Sequence, residues 1–404
     1  MSERFQPGSP HEVRDLLAWA AAEQVPFEIV GAGSKRGFGH DVAASHQLDL
    51  TRLSGFIDYE PAELVLTAHA ATPIAEIDAV LRQSHQQLAF EPPDLGPLLG
   101  HGPEQATLGG TLAANLSGPR RVQTGAARDH ALGVTVATGR GELIKSGGRV
   151  VKNVSGYDLT KLMCGSWGTL GVMTSVSVKV LPAPEKTRTL LISGLSATDA
   201  CRAMNQALSS PHEVTAVAFL PQGLTARSGV SYLSGAGAAI TAVRVEGPPV
   251  SVAARHEALV ALLGSLGEIE ELHGHNSTRF WGEVRDVLPL LPGDASVWRV
   301  SVPPASGGDV MAWLDTHEGE GYLDWGGGLV WAALPAEQSS ATALRELTDS
   351  LGGRATLVRG PDGFRNDVPV FNPQPETRAA LSQRIKDGFD PLGILNPGRM
   401  SGSA

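Results

Sequence analysis

Residues Ala106–Val180 read ATLGGTLAANLSGPRRVQTGAARDHALGVTVATGRGELIKSGGRVVKNVSGYDLTKLMCGSWGTLGVMTSVSVKV. Glycine recurs every few positions, yet it falls between strand and helix signals and not in a low-complexity linker. The spacing predicts a helix at ATLGGTLAANL, a strand at ALGVTVAT and a turn at GRGE. A strand at ELIKSG, a helix at SGYDLTKLMCG and a last strand at GVMTSVSVKVLP follow. A backbone so rich in glycine is suited to approach a large ligand closely, because glycine alone takes positive φ without a Cβ penalty.

Working outward, Ser9 and Glu12 form a capping box for a helix HEVRDLLAWAAAEQV. FEIV (Phe27–Val30) reads as a buried strand that runs into the loop GAGSKRGFG. Short strands are expected at HQLDLT, at Phe56–Tyr59 and at Leu64–Ala70. A helix IAEIDAVLRQSHQQ then opens with Pro73 at its first position. Residues 1–182 thus predict an α+β domain and not a regular βαβαβ array. The character changes at PAPEK (Pro182–Lys186), which marks the boundary of a second domain, 183–404. Its β-α-β-β-α-β rhythm predicts an antiparallel sheet covered by helices on one face.

A chain of 404 residues exceeds one ordinary core. Composition is globular, 42% hydrophobic and 18% charged, with no apolar run of membrane-spanning length. A net charge of −10 argues against nucleic acid as the main partner. No apolar h-region opens the sequence, and Cys164 and Cys201 form neither a CxxC pair nor a disulfide framework. A cytoplasmic setting is expected.

Val30–Gly39 fails the G-x-G-x-x-G test of a Rossmann turn and the Walker A pattern. What remains is a loop at a strand end whose successive N–H groups, with Ser34 and Lys35, suit a phosphate, though taken alone it reads as readily as a plain glycine-rich turn or more so. Thr107 reads as the N-cap of a short helix whose N–H groups at Gly109, Gly110 and Thr111 point outward. Two anion-binding loops in one small domain point to a dinucleotide pyrophosphate.

Taken together, GAGSKRGFG, PPDLG, ATLGGTLAANLSGPRR, TGAARDHALGV, VVKNVSGYDLTKLMCGSWGTLGV and FDPLGILNPGRM carry a resemblance. They resemble the vanillyl-alcohol-oxidase-like flavoproteins with a PCMH-type FAD-binding domain. Within that group the likeness is to the FAD-binding (E) subunits of bacterial glycolate oxidase. The resemblance implies a two-part FAD domain followed by a cap domain, with the 389–400 tail returning toward the FAD domain. It implies that Gly31, Ala32, Gly33, Ser34 and Lys35 form one pyrophosphate loop and Thr107, Gly109 and Gly110 a second. Asn115 and Gly118 would follow the flavin, while Gly125, Arg128 and Asp129 line the ring system or brace that loop. Gly156, Tyr157, Leu170, Gly171 and Val172 would surround the adenosine half. Arg128 and Asp129 could equally pair with each other, and Tyr157 could be a core tyrosine with a satisfied hydroxyl. DWGGG (Asp324–Gly328) and WR (Trp298, Arg299) add to the likeness.

The implied activity is oxidation of glycolate to glyoxylate within a complex. Its other members would be a second FAD-containing hydroxyacid dehydrogenase subunit and an iron–sulfur subunit that receives electrons. Attachment at the inner membrane would come through a partner. Two cysteines cannot supply four thiolates to a cluster of this chain's own. No histidine or cysteine replaces Ser34 or Lys35, which predicts noncovalent FAD. The sequence offers no catalytic base: His273 and His275 lack a third ligand and read as surface histidines. Arg299 could clamp a carboxylate or satisfy a buried acid such as Asp324; Trp298, Trp325 and Trp331 read as core. The missing histidine motif favours electron relay over oxidation by this chain. A self-sufficient hydroxyacid or alcohol oxidoreductase and a scaffold with a vestigial nucleotide site are the alternatives.

Overall fold

The computed structural model describes residues 3–148 and 156–401. The Val150–Ser155 part of the VVKNVSG motif lies outside the described residues. The chain divides into two compact units. One holds Met1–Ser117, Gly125–Ala183 and Pro373–Ala404; the other holds Gly118–Thr124 and Pro184–Asn372.

In the first unit, strands β1 (Glu3–Phe5), β2 (Phe27–Val30) and β3 (His46–Asp49) pair in parallel in the order β1-β3-β2. The helix Pro10–Glu23 buries Val13, Leu17 and Ala20, which repeat at helical spacing. Ser9 caps it: its hydroxyl accepts the Glu12 N–H at 3.2 Å, while the Glu12 carboxylate accepts the Gly8 N–H at 2.8 Å. This face meets Phe27, Leu48, Ile394 and Leu395, so residues from both ends of the chain share one core.

A second sheet is built from β4 (Phe56–Glu60), β5 (Val65–His69), β7 (Ala131–Ala137), β8 (Leu143–Gly147) and β9 (Val172–Lys179); β6 (Gln86–Gln87) pairs separately with β10 (Leu181–Pro182). The order of the five is β4-β5-β9-β7-β8, every pair antiparallel. The helix after Pro73 starts one residue later than expected, at Ile74, with Pro73 itself as the N-cap. Pro73 holds φ −60 with an extended ψ of 139, which places it just outside the helix.

The second unit contains β11 (Lys186–Ser193), β12 (Ala216–Leu220), β13 (Ile240–Gly247), β14 (Glu268–His273), β15 (Ser296–Ser301), β16 (Glu320–Asp324), β17 (Leu329–Leu334) and β18 (Arg354–Arg359). They form one antiparallel sheet ordered β14-β11-β13-β12-β16-β17-β15-β18. Alternate residues, including Leu190, Val243, Trp298, Val300, Leu323 and Leu357, join the main core with Ala200, Leu259, Val310 and Leu344 from the helices. Strands β14 and β18 and the helix Gly274–Arg285 gave no clear signal in the sequence. That helix reaches the opposite face, where the Trp281 indole N–H donates to the Thr189 hydroxyl at 2.8 Å.

Candidate cofactor site

Strand β2 ends at Val30 and delivers the chain into a turn-rich loop. Gly33 takes φ 79, a conformation that a side chain disfavours. The loop closes on itself through Arg36 N–H to the Gly33 carbonyl at 3.0 Å and Phe38 N–H to the Lys35 carbonyl at 3.0 Å. The N–H groups of Ala32, Gly33, Ser34 and Lys35 have no acceptor among the described residues. They face a cleft of about 810 Å³, counted to its open mouth and lined by Gly31–Arg36, Thr107, Gly109, Gly110, Gly171 and Val172.

Lys35 lines the same cleft, and burial pulls its ammonium down to about 8, partly opposed by Asp94. A desolvated cation with no hydrogen-bond partner among the described residues, beside four open N–H groups, is a donor set for an anion. Gly31 matters for shape: a Cβ there would stand 2.8 Å from the Thr107 hydroxyl.

The second expected loop is built differently. Thr107 does cap the helix Leu108–Ala113, accepting the Gly110 N–H at 3.3 Å. The outward-pointing N–H groups expected there are consumed, however. Gly109 donates to the Ala70 carbonyl at 2.7 Å and Thr111 to the Thr107 carbonyl at 2.9 Å. Gly109 is a packing glycine, since a Cβ would meet Ala70 Cβ at 2.7 Å. The segment contributes a wall to the cleft; its helix end is not an open anion site.

Of the other candidates, Gly171 and Val172 line the same cleft and the rest lie elsewhere. Asn115, at φ 49, accepts the Arg128 N–H on its side-chain oxygen at 3.1 Å. Asp129 accepts the Ala126 N–H at 2.9 Å and sits 4.0 Å from Arg128, so both residues brace the turn after Gly125, itself at φ 89. The Gly118 carbonyl accepts the Trp325 indole N–H in the second unit. Gly156 is exposed, and Tyr157 is 93% exposed, which overturns its reading as a core tyrosine. Leu170 packs against the core, and a Cβ on Gly171 would strike Val136 Cγ1 at 2.3 Å.

The cleft also takes residues that the sequence reading did not assign: Trp167, Met173, Asn396 and Arg399. Asn396 accepts the Ile29 N–H at 2.7 Å and donates to the Trp167 carbonyl at 2.8 Å. Arg399 donates to the carbonyls of Arg36 at 3.0 Å and Phe38 at 3.1 Å. The tail segment LNPGR therefore holds both strand β2 and the loop that follows it. Its signal was present in the matching tail motif, but nothing local in that motif names the carbonyls it reaches.

A glycine-shaped loop with open N–H groups beside a desolvated lysine is a donor set for the pyrophosphate of a dinucleotide. Residues 3–147 match the family described as FAD binding domain. The chain is 35% identical over 94% of its length, and 94% of theirs, to the glycolate oxidase subunit GlcE of Escherichia coli. It belongs to that family of FAD-dependent oxidoreductases. It is also 32% identical to the glycolate oxidase subunit GlcD of Bacillus subtilis over 46% of this chain and 38% of that one. Among solved structures, p-cresol methylhydroxylase with substrate bound matches with a TM-score of 0.72 at 15% identity, covering 99% of this chain and 88% of that chain.

The residues in the cleft fit FAD. Open N–H groups and a buried ammonium suit a pyrophosphate, and the glycines leave room for it. No helix among the described residues is long and apolar enough to cross a membrane.

Proposed function

We propose that this chain is the FAD-binding subunit of a complex that oxidises glycolate to glyoxylate and passes the electrons to partner subunits. The observation that carries the reading is the tail-bound loop Gly31–Lys35, in a chain similar over 94% of its length to a glycolate oxidase subunit. FAD, when bound, supplies a two-electron acceptor for the substrate carbon. The chain's own residues bind and orient it. Ala32–Lys35 N–H groups and the Lys35 ammonium hold the pyrophosphate, while Asn396 and Arg399 fix the loop that presents them. The flavin is read as noncovalently held, because no histidine or cysteine stands in place of Ser34 or Lys35 in the loop.

The partners are a second FAD-containing hydroxyacid dehydrogenase subunit and an iron–sulfur subunit. Any attachment to the inner membrane comes through them. Affinity purification of the tagged chain from its native host tests this reading. Co-purification of both partners, with glycolate-dependent dye reduction that disappears when this chain is deleted, is the expected result. Undiminished glycolate oxidation without the chain overturns it.

A further inference from the structure

The tail that grips β2 is itself gripped. Asp390, 1% exposed, accepts the Ile394 N–H on one carboxylate oxygen at 3.1 Å and the Leu395 N–H on the other at 2.9 Å. That second oxygen also accepts the ammonium of Lys386, four residues earlier in the helix Glu376–Phe389. The remaining Lys386 donors reach two carbonyls, those of Thr169 at 2.7 Å and Leu395 at 3.2 Å.

Both segments that the pair touches lead to the FAD cleft. Leu395 bridges to Phe27 of β2 and precedes Asn396, whose bond to Ile29 fixes the strand that enters Gly31–Lys35. Thr169 lies in residues 167–172, from which Trp167, Gly168, Gly171 and Val172 line the cleft. One ammonium therefore joins the 167–172 wall to the tail residue beside the β2 clasp.

The turn at GRGE is the socket for this joint. A Cβ on Gly139 would stand 2.2 Å from the Asp390 carboxylate, so glycine is what admits the acid. Arg140 donates to the Gly388 carbonyl at 2.9 Å and to the Asp387 carbonyl at 3.3 Å, closing the last turn of the helix. No residue of that helix is fully buried, and Phe389 in its last turn packs against the core. Its docking rests on this C-terminal turn.

A buried ion pair adds little net stability over an apolar pair, because desolvation offsets the attraction. Its hydrogen bonds are directional, however, and these end on four backbone groups. An apolar contact would let the tail slide against residues 167–172; the ion pair holds the two at one spacing.

We propose that Lys386 and Asp390 are positioning residues of the cofactor site, a latch that sets the spacing between the β2 clasp and the 167–172 wall and thereby the affinity for FAD. The proposal rests on the cleft being the FAD site and not on glycolate as the substrate.

Fluorescence titration of the FAD-free full chain with FAD, alongside thermal unfolding, tests it in Lys386→Met, Lys386→Arg and the double variant Lys386→Met/Asp390→Asn. Lys386→Met should weaken FAD binding about tenfold or more. Lys386→Arg should recover part of that loss, since a guanidinium keeps the charge and the donors. The double variant leaves no buried charge unpaired, so its melting temperature should return toward wild type. Its FAD affinity should stay as weak as that of Lys386→Met, because nothing joins Thr169 to Leu395. A merely structural pair would return affinity and melting temperature together, and that result overturns the proposal. Wild-type affinity in Lys386→Met overturns it as well. Should Lys386→Met fail to fold, the double variant against wild type decides alone. No FAD uptake by the wild type removes the cofactor reading and this proposal with it, whereas failure of the complex to oxidise glycolate leaves the latch standing.

Discussion

The Asn396 side chain accepts the backbone N–H of Ile29 at 2.7 Å across 367 positions of sequence. The Asn396 backbone N–H meanwhile donates to the Phe27 carbonyl at 3.0 Å, and the Phe27 N–H to that of Ile394 at 2.8 Å. Strand β2 is thus held in place by the tail before it enters the cofactor loop.

Asn396→Ala removes both side-chain bonds and keeps the strain of φ 44. It should cost about 1–3 kcal/mol by thermal unfolding and lower the flavin content of purified protein. Unchanged flavin content would mean that the loop holds its shape without the tail.

Lys35→Met should separate stability from binding. Burial lowers the folded-state pKa to about 8 from 10.5, so the empty fold carries the full cost of a buried cation below pH 8. That cost fades as pH rises from about 8 to 10.5. Lys35→Met should therefore raise the melting temperature of the FAD-free chain at pH 7 while weakening FAD binding about 10- to 100-fold. Fluorescence titration with FAD reads the second effect.

Gly109→Ala should destabilise by about 1–3 kcal/mol through overpacking. The new Cβ meets Ala70 Cβ at 2.7 Å and its carbonyl oxygen at 2.9 Å, and backbone does not swing aside. Denaturant unfolding measures it; a neutral result would show that the helix Leu108–Ala113 shifts freely.

Glu246 anchors the second unit. Burial alone would raise its carboxyl pKa, but Arg244 and Arg120 overrule that and hold it near about 2. Its stabilising contribution is full above the ordinary value of 4.5 and is lost as pH falls toward about 2. Glu246→Gln removes the carboxylate that Arg120 and Arg244 share and should cost about 3–5 kcal/mol, read as a lowered midpoint in urea.

Acid precipitation of the yellow protein should leave the flavin in the supernatant. Flavin that stays with the pellet would show a covalent link.

Periodicity located most strands and long helices because one face of each is buried, as in FEIV and GVMTSVSVKV. The open loop at Gly31–Lys35 was legible for a similar reason: its glycines are local requirements. Hydrogen bonds reaching across the fold were not. Whether the N–H of Gly109 faces a ligand or the Ala70 carbonyl depends on where another strand passes. Tyr157, read as lining the adenosine half or else as a core tyrosine, is exposed, so the core alternative falls. Arg299 was visible as an arginine among apolar residues, while its place over the Trp325 ring, which Arg121 also faces, needed three separate elements to be placed.

The bonds from Asn396 and Arg399 to β2 and its loop also fix an order of assembly during synthesis. Residues that line the cleft at Gly31–Lys35 emerge early, but the clasp that shapes them is translated after nearly the whole of both units. A nascent chain, however well folded up to β9, has no finished FAD site. A chain cut before Asn396 lacks the side chains that hold β2 and its loop, and should retain FAD poorly.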